Sequence, residues 1–320
     1  LLDAQSGKVI SMISLPDYNP NNRKELVNKK NLFNKNTKGL YELGSIFKTF
    51  VIANALETNI VTRDKIYKNL PKEVVCGKFP IKEYRYSADK KNLTVNDILV
   101  ESSNIGTIRI IQDSGLNSYR NFLENLEIFN SSTIELPEVS SSTKKRWGKC
   151  NTLTAGYGHG INTTPIQLTR AFASIINGGN LLDVSILKNK DIKFKSKIIS
   201  KKNSEIMRKI LRSNVDNNYH RGGSGRKADI KGYNVMGKTG TAQKPHKTAK
   251  GYSNEILNIF TSGFEINNKF YVLTVILDEP KGSKKLWGHN RREAGWNAGY
   301  TNGQIIKKIG PILNTLNFNE

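Results

Sequence analysis

A continuous segment rich in nonpolar residues, 44–56, predicts a buried helix. Phe47, Phe50 and Val51 help to cover most of the helix circumference, and a helix that is nonpolar nearly all round is normally buried in the centre of a protein. No nonpolar run approaches the ~20 residues that a membrane span needs. Helical periodicity predicts further helices at 94–101, 105–113, 117–127, 165–177 and 203–214.

Strand patterns occur at both ends of the chain. Residues 1–4 and 9–15 are predicted to form two strands joined by a turn. Near the other end, Asn267-Asn268 separates two alternating segments, as the turn of a β-hairpin would. The two strands predicted for this hairpin are residues 257–264 and 270–277.

The order of these elements, strands then helices then strands, predicts an α/β fold in which both chain ends join one sheet. We expect one domain over residues 1–320, with a sheet lobe from about 1–15 and 233–320 and a helical lobe at about 39–215. The chain starts with a strand, without Met or a signal-like segment. We therefore expect it to be cut from a longer protein whose targeting or anchoring segment lies upstream.

The chain is strongly basic, with 50 Lys and Arg against 27 Asp and Glu and a net charge of +23. Such an excess can indicate nucleic acid, an anionic membrane surface or an anionic polymer as a partner. The basic residues are scattered, without an aromatic-interleaved stripe or a known nucleic-acid motif. We therefore predict no nucleic-acid partner and interpret the charge mainly as a general bias towards Lys, Asn and Ile.

The cysteines and histidines do not suggest a metal site. Cys76 and Cys150 can pair in an oxidising compartment, but the sequence alone does not decide whether they do. Neither cysteine has a Cys or His at metal-ligand spacing, and the four histidines show no zinc pattern. No metal and no cofactor are therefore predicted.

Three short motifs contain the residue types that acyl transfer needs. They are Ser45-Ile46-Phe47-Lys48 at the start of the central helix, Ser102-Ser103-Asn104 between two helices, and Lys238-Thr239-Gly240-Thr241 on a predicted strand. Each motif alone is weak, because Ser and Asn commonly cap helices or form turns. Together, in this order and in these contexts, they are the set shared by serine β-lactamases and penicillin-binding proteins.

The first motif offers a nucleophile and a base. Ser45 and Lys48 are three positions apart, which places them on one helix face about one turn apart. A serine hydroxyl needs a base within hydrogen-bond reach, and a lysine amine can serve if burial and nearby positive charge lower its pKa. The helix amino terminus and Lys238 are expected to provide that positive field. The backbone N–H groups of Ser45 and Thr241 are the expected oxyanion donors.

Over nearly its whole length the chain resembles the transpeptidase domain of class B penicillin-binding proteins. It is most similar to the division-type, septal enzymes, partly because the middle motif ends in Asn104 rather than Asp. Besides the motifs, the similarity covers residues 1–4, 14–20, 41–48, 154–160, 164–168, 232–244, 278–281 and 294–297. The resemblance implies the penicillin-binding protein and serine β-lactamase-like fold, an antiparallel sheet flanked by helices plus an all-helical lobe.

The resemblance also implies a role for each motif residue. Ser45 would attack the penultimate D-Ala carbonyl of a D-Ala-D-Ala stem peptide, with Lys48 as its base. Ser102 would relay a proton to the leaving amine, and Asn104 would hold Lys48 and the donor amide. Residues 238–241 would bind the terminal carboxylate of the donor. An amine from a second stem peptide would then take the acyl group, and a β-lactam would leave a persistent acyl-enzyme.

Partners and location follow from the same resemblance. The implied partners are peptidoglycan stem peptides, β-lactam antibiotics, a membrane glycan polymerase and divisome proteins. The implied location is the periplasmic face of the bacterial inner membrane, with an anchor and a non-catalytic module upstream of this chain. Two residues depart from the family pattern: Leu43 stands where Pro is frequent, and His159 stands where Tyr is frequent. We expect a rim or packing role for His159.

Three alternatives to a transpeptidase share these motifs. A class A β-lactamase would carry a Glu-x-x-Leu-Asn segment between the second and third motifs, and this chain has none. A D,D-carboxypeptidase uses the same acylation and differs only in accepting water, so the motifs do not exclude it. A non-enzymatic β-lactam sensor or scaffold also stays open, although a scaffold is expected to lack a catalytic residue.

Overall fold

The computed structural model describes residues 1–22, 24, 31–77, 79–84, 86–142, 147–246 and 251–317. The helices in these ranges are α1 (Lys48–Glu57), α2 (Val95–Val100), α3 (Asn104–Ser114), α4 (Leu116–Asn125), α5 (Lys149–Ala155), α6 (Pro165–Ile176), α7 (Lys201–Ser213), α8 (Lys284–Trp287) and α9 (Ala298–Asn317). The strands are β1 (Leu2–Asp3), β2 (Ile66–Tyr67), β3 (Glu73–Cys76), β4 (Phe79–Lys82), β5 (Leu93–Thr94), β6 (Asn180–Leu182), β7 (Phe194–Lys197), β8 (Met236–Pro245), β9 (Tyr252–Ile266) and β10 (Lys269–Asp278).

The main sheet is antiparallel, with the strand order β1, β10, β9, β8. In the β9–β10 hairpin Ile266 pairs with Lys269, and the turn residues Asn267 and Asn268 have φ of 50° and 63°. Two-residue hairpin turns favour this left-handed conformation, which Asn tolerates. The hairpin predicted from the sequence is confirmed, and both of its strands are longer than predicted.

The two faces of this sheet pack against different helices. Successive strand residues point to opposite faces, so Ile259 and Val272 join one hydrophobic core while Phe260 and Leu273 join a second. The first core is built around α6 and the other central helices, and the second is closed by α9. The fold is therefore α/β, an antiparallel sheet flanked by helices, as the sequence predicted.

Helix α1 lies at the centre of the helical part. Every residue from Lys48 to Leu56 is buried, and the helix packs against α3, α4 and α7. The predicted buried helix is confirmed, except that its first turn, Gly44–Phe47, is a 3₁₀ turn. Gly44 has φ of 60°, which is outside the α-helical region, so the α-helix begins only after this turn.

The other helices start where short polar side chains cap them. Thr94 forms a capping box with Asp97 at α2, Ser103 accepts a hydrogen bond from the Gly106 N–H at α3, and Thr164 caps α6. The helices predicted at 94–101, 105–113, 117–127, 165–177 and 203–214 are confirmed, with ends that differ by two residues or fewer.

The strand predicted at residues 9–15 is wrong. Val9 forms an isolated bridge to Leu2, and residues 10–15 belong to no strand. β1 is only two residues long, so it offers few backbone groups for a second strand to pair with. Ile13 and Leu15, which suggested the strand, are 70% and 63% exposed.

A disulfide answers the question that the sequence left open for the two cysteines. Cys76 at the end of β3 is bonded to Cys150 in α5, with the Cα atoms 5.6 Å apart. It ties the β3–β4 hairpin to the helical part of the molecule. Among the described residues, no helix combines the length and hydrophobicity that crossing a bilayer requires.

Candidate active site

Ser45 lies in the 3₁₀ turn before α1 and is half-buried, whereas its neighbours Gly44 and Ile46 are fully buried. Two glycines allow this turn to approach β8. A Cβ on Gly44 would lie 2.8 Å from the Thr241 carbonyl oxygen, and one on Gly240 would lie 2.3 Å from the Leu43 carbonyl oxygen. The backbone N of Thr241 is also close to Gly44, at 3.1 Å from that Cβ position. The first and third motifs are therefore in direct backbone contact.

Lys48 connects the first motif to the second. Its Nζ donates hydrogen bonds to the Ser102 carbonyl oxygen, to Ser102 Oγ at 3.1 Å and to Asn104 Oδ1 at 2.8 Å. These contacts use all three protons of the ammonium group, and Ser45 is not among the acceptors. Lys48 Nζ is thus hydrogen-bonded to the second motif and not to Ser45, and a lone pair for the Ser45 proton becomes available only when Lys48 is neutral.

Burial dominates the electrostatics of Lys48. The side chain is 0% exposed, and burial lowers the pKa of Lys48 to about 7. The negative charge of Glu83 opposes this shift and Lys90 adds to it. The sequence predicted a lowered pKa from burial and positive charge, with Lys238 and the helix terminus as the sources of that charge. Among the charged side chains, Glu83 and Lys90 are the main influences on Lys48.

Ser102 lies between the two lysines of the site. It follows α2 with φ of 55°, a conformation uncommon for residues other than glycine, and such outliers concentrate at functional sites. Its Oγ receives hydrogen bonds from Lys48 Nζ at 3.1 Å and from Lys238 Nζ at 3.0 Å. One hydroxyl thus links lysines that are 190 positions apart in the sequence.

Lys238 is fully buried on β8. Besides Ser102, its Nζ donates to the Thr239 carbonyl oxygen at 3.3 Å and to Thr239 Oγ1 at 3.4 Å. Burial and the charge of Lys48 lower the pKa of Lys238 well below its usual value. Two ammonium groups that share one hydroxyl repel each other, so the site favours no more than one full positive charge.

Two further polar residues, Asn214 and Ser224, contact β8 and were not predicted from the sequence. The hydroxyl groups of Ser224 and Thr239 are hydrogen-bonded at 2.6 Å. Asn214 Oδ1 accepts from the Ser224 backbone N–H and hydroxyl, and Asn214 Nδ2 donates to the Gly237 carbonyl oxygen. Single Ser and Asn residues are too common to be recognised as site residues from their sequence position, and only the fold brings these two to the motif.

A third residue that the sequence reasoning missed is Glu83, which follows β4. Its carboxylate accepts hydrogen bonds from Ser103 Oγ at 2.5 Å and from the backbone N–H groups of Asn104 at 3.0 Å and Ile105 at 3.2 Å. Glu83 thus contacts the start of α3, which carries the second motif. β4 is four residues long and contains Pro80, so no pattern distinguishes Glu83 from other acidic residues.

A cavity of about 550 Å³ opens next to the third motif. The residues that line it are Tyr84, Thr241, Ile256, Asn290, Arg291, Arg292 and Glu293. Arg291 and Arg292 are exposed, so this side of the site presents two guanidinium groups to solvent.

His159 follows Gly158, which lies against Gly44 in the turn that carries Ser45. It is half-exposed, and its ring lies 4.9 Å from that of Tyr252 and 6.2 Å from that of Tyr157. Tyr252 donates a hydrogen bond to Glu42, whose other carboxylate oxygen is 3.8 Å from His159 Nδ1. These are packing contacts, and a rim role for His159 stays a prediction.

A protein-family comparison matches residues 1–294 to the penicillin binding protein transpeptidase domain. The chain is 30% identical over 319 residues to the probable peptidoglycan D,D-transpeptidase FtsI of Caulobacter vibrioides, covering 97% of this chain and 53% of that protein. It is 28% identical over 297 residues to the peptidoglycan D,D-transpeptidase FtsI of Escherichia coli K12, covering 90% of this chain and 48% of that protein. The chain thus spans about half the length of these curated relatives.

Solved structures share the fold. The apo transpeptidase domain of Burkholderia pseudomallei penicillin-binding protein 3 has a TM-score of 0.81 and 24% identity, covering 98% of this chain and 87% of that one. Penicillin-binding protein 3 of Mycobacterium tuberculosis in complex with aztreonam has a TM-score of 0.83 and 21% identity, covering 97% of this chain and 72% of that one. At these identities the structures establish similarity of fold.

Proposed function

This chain belongs to the penicillin-binding protein transpeptidase family, and from this premise we propose that it is the catalytic domain of a septal peptidoglycan D,D-transpeptidase. The observation that carries the proposal is the hydrogen-bonded cluster of Lys48, Ser102, Asn104 and Lys238 beside Ser45. These residues come from distant parts of the sequence, and each has a place in acyl transfer. The named relatives, which are peptidoglycan D,D-transpeptidases, support the same reaction.

Acylation begins at Ser45. Its Oγ attacks the carbonyl carbon of the penultimate D-Ala, and the hydroxyl proton passes to neutral Lys48. With a pKa of about 7, Lys48 is neutral in about half of the molecules at pH 7. The carbon–nitrogen bond to the terminal D-Ala then breaks. Ser102, which contacts both lysines, passes its proton to the departing amine and takes from Lys48 the proton that came from Ser45, so that an ester on Ser45 remains.

The tetrahedral intermediate carries negative charge on the former carbonyl oxygen. We propose that the backbone N–H groups of Ser45 and Thr241 stabilise this charge. The close approach of Gly44 to the backbone N of Thr241 supports this pairing. One such donor is typically worth about 10²–10³ in rate.

The donor peptide ends in a carboxylate, which we assign to the third motif. Lys238, Thr239 and Thr241 offer an amine and two hydroxyl groups, and Gly240 lets β8 lie against the turn that carries Ser45. The hydrogen bond between the Ser224 and Thr239 hydroxyl groups orients one of these groups. In this proposal Lys238 exchanges a proton through Ser102 and also binds the carboxylate of the donor.

An amine of a second stem peptide completes the reaction. Its nitrogen attacks the Ser45 ester carbon, the carbon–oxygen bond breaks, and the proton of the amine returns to the serine oxygen. The cavity beside Thr241 provides room for the peptide. A β-lactam acylates Ser45 in the same way, but its amine remains attached to the acyl group and does not depart. The resulting ester is therefore expected to persist.

The setting of the whole protein is part of this proposal. We propose that the domain works at the periplasmic face of the bacterial inner membrane, with a glycan polymerase and divisome proteins as partners. The disulfide fits an oxidising compartment. We also propose a sheet lobe at about 1–15 and 233–320 and a helical lobe at about 39–215, supported by the strand order of the main sheet.

A two-substrate assay tests this function. The chain is incubated with a D-Ala-D-Ala stem peptide and an excess of an acceptor amine, and products are resolved by mass spectrometry. We expect released D-Ala and a new amide between donor and acceptor, with neither in the Ser45→Ala variant. Hydrolysed donor without the amide would indicate a D,D-carboxypeptidase instead. Absence of D-Ala release would contradict the proposed reaction.

A further inference from the structure

Glu83 binds the amino-terminal end of α3, at the residues that form the second motif. Of the four hydrogen bonds that its carboxylate accepts, one comes from the neighbouring Tyr84 N–H. The other three come from the N-cap residue Ser103 and from the first two backbone N–H groups of the helix, those of Asn104 and Ile105. These N–H groups have no partner inside the helix. The carboxylate also lies at the positive end of the helix dipole, where negative charge is stabilising.

The residue before Glu83 fixes the side chain of Asn104. Asn104 Nδ2 donates a hydrogen bond to the Lys82 carbonyl oxygen at 3.0 Å, while its Oδ1 accepts from Lys48 at 2.8 Å. A flipped amide would direct Nδ2 at the Lys48 ammonium and Oδ1 at a carbonyl oxygen, and both contacts would be repulsive. The Lys82-Glu83 segment thus holds the backbone and the side-chain orientation of Asn104.

Glu83 is also the acidic group that most affects Lys48. The charged groups around Lys48 are Glu83 after β4, Lys238 on β8, and Lys90 in the 3₁₀ turn Ala88–Lys91, where Lys90 is paired with Glu101 at 3.1 Å. The negative charge of Glu83 raises the pKa of Lys48 against the larger effect of burial. Loss of that charge should therefore lower the pKa of Lys48 further, so that the amine stays neutral down to a lower pH.

We propose that Glu83 is a positioning residue for acylation: it holds the start of α3 so that Asn104 presents its amide oxygen to Lys48. The inference rests on the proposed function, because it assigns Glu83 a part in the same acyl transfer. Glu83 does not contact Ser45, and it acts through Asn104 and through the charge balance around Lys48.

The test compares acylation by a fluorescent penicillin across pH 5 to about 9 in the parent chain and in Glu83→Gln and Glu83→Asp. The Asn104 and Ile105 N–H groups bond different oxygens of the Glu83 carboxylate. Glu83→Gln keeps one acceptor oxygen and places an NH₂ donor at the other position, so one of these two N–H groups loses its partner and the start of α3 is held less firmly. We expect the rate on the high-pH plateau to fall by about tenfold or more, since small displacements of catalytic groups are costly. The midpoint of the pH profile, at which the acylation rate is half of its plateau value, should also move to lower pH. Glu83→Asp keeps the negative charge, so the midpoint of its pH profile should stay where it is in the parent chain.

Glu73→Gln is the matched control. Glu73 lies on β3 of the same hairpin and is exposed, and its ion pair with Lys82 is long, at 4.0 Å. The substitution makes the same change of charge on the same hairpin without touching α3. We expect its plateau rate and pH profile to match those of the parent.

The outcomes separate this inference from the proposed function. A lower plateau and a shifted rise in Glu83→Gln, with Glu73→Gln unchanged, support it. If Glu83→Gln has the rate and the pH profile of the parent, the inference is overturned. It is also overturned if Glu83→Gln has a lower plateau rate without a shift in the pH profile, or if Glu73→Gln loses as much rate. Either of these two results indicates a general structural role. A parent chain that is not acylated at all would overturn the proposed function itself.

Discussion

Lys48 shows how the surroundings of a single residue can make a base from a group that is normally charged. An ammonium group on the surface keeps its proton at neutral pH, with a pKa near 10.4. The Lys48 side chain is fully buried, and its pKa falls to about 7. Ser102 and Asn104 satisfy its hydrogen bonds without adding a negative charge. The side chain can therefore change its protonation state during the reaction.

This titration predicts the pH dependence of acylation. Below pH 7 Lys48 is protonated and has no lone pair, so the acylation rate should fall as pH decreases. Above pH 7 the amine is neutral and the rate should reach a plateau, with the midpoint at about 7. Stopped-flow measurement of penicillin acylation at constant ionic strength gives this curve. A rate that is flat from pH 5 to about 9 would remove Lys48 as the titrating base.

A substitution that keeps the positive charge of Lys48 but removes its ability to accept a proton tests its role as the base. Lys48→Arg keeps a cation that does not lose its proton in a protein, so we expect acylation to slow by about 10²–10⁴-fold. Lys65→Arg is the control, because Lys65 pairs with Asp113 at the surface and has no place in the site. Acylation in Lys48→Arg within about twofold of the parent would contradict the role of a base. Thermal melting of both variants separates loss of chemistry from loss of fold.

At the scale of elements, the sequence predicted what depends on regular hydrophobic periodicity. Helix α1 was predicted because nonpolar residues surround it, and the β9–β10 hairpin because two alternating segments flank an Asn pair. The strand at 9–15 was wrong because alternation alone does not provide a partner strand. The β3–β4 hairpin was not predicted, since its four-residue strands are too short to show a period.

The β3–β4 hairpin also carries a prediction about stability. The Cys76–Cys150 bond closes a loop with a sequence separation of 74 residues. Closing such a loop restricts the unfolded chain, and loss of a native disulfide typically costs about 2–5 kcal/mol. The double variant Cys76→Ser, Cys150→Ser should therefore unfold at lower urea, with the free energy of unfolding reduced by that amount. An unchanged urea midpoint would show that the bond contributes no stability.

At the scale of the whole molecule, the fold brings together motifs that are far apart in sequence. Lys48 and Ser102 are separated by 54 positions, and Ser102 and Lys238 by 136, yet all three share hydrogen bonds. The sequence identified these residues because each motif has a fixed spacing of its own. Glu83 and Ser224 could not be identified in that way. Their contacts with the motifs arise only when separate segments fold together.

The most direct test of the central claim, that Ser45 is the acylated nucleophile, is intact-mass analysis after incubation with a penicillin, followed by tryptic mapping. Residues 39–48 form one tryptic peptide in which Ser45 is the only serine. We predict a stable adduct of one drug molecule on that peptide in the parent chain and none in Ser45→Ala. An adduct that maps elsewhere, or one that persists in Ser45→Ala, would contradict the assignment of Ser45 as the nucleophile.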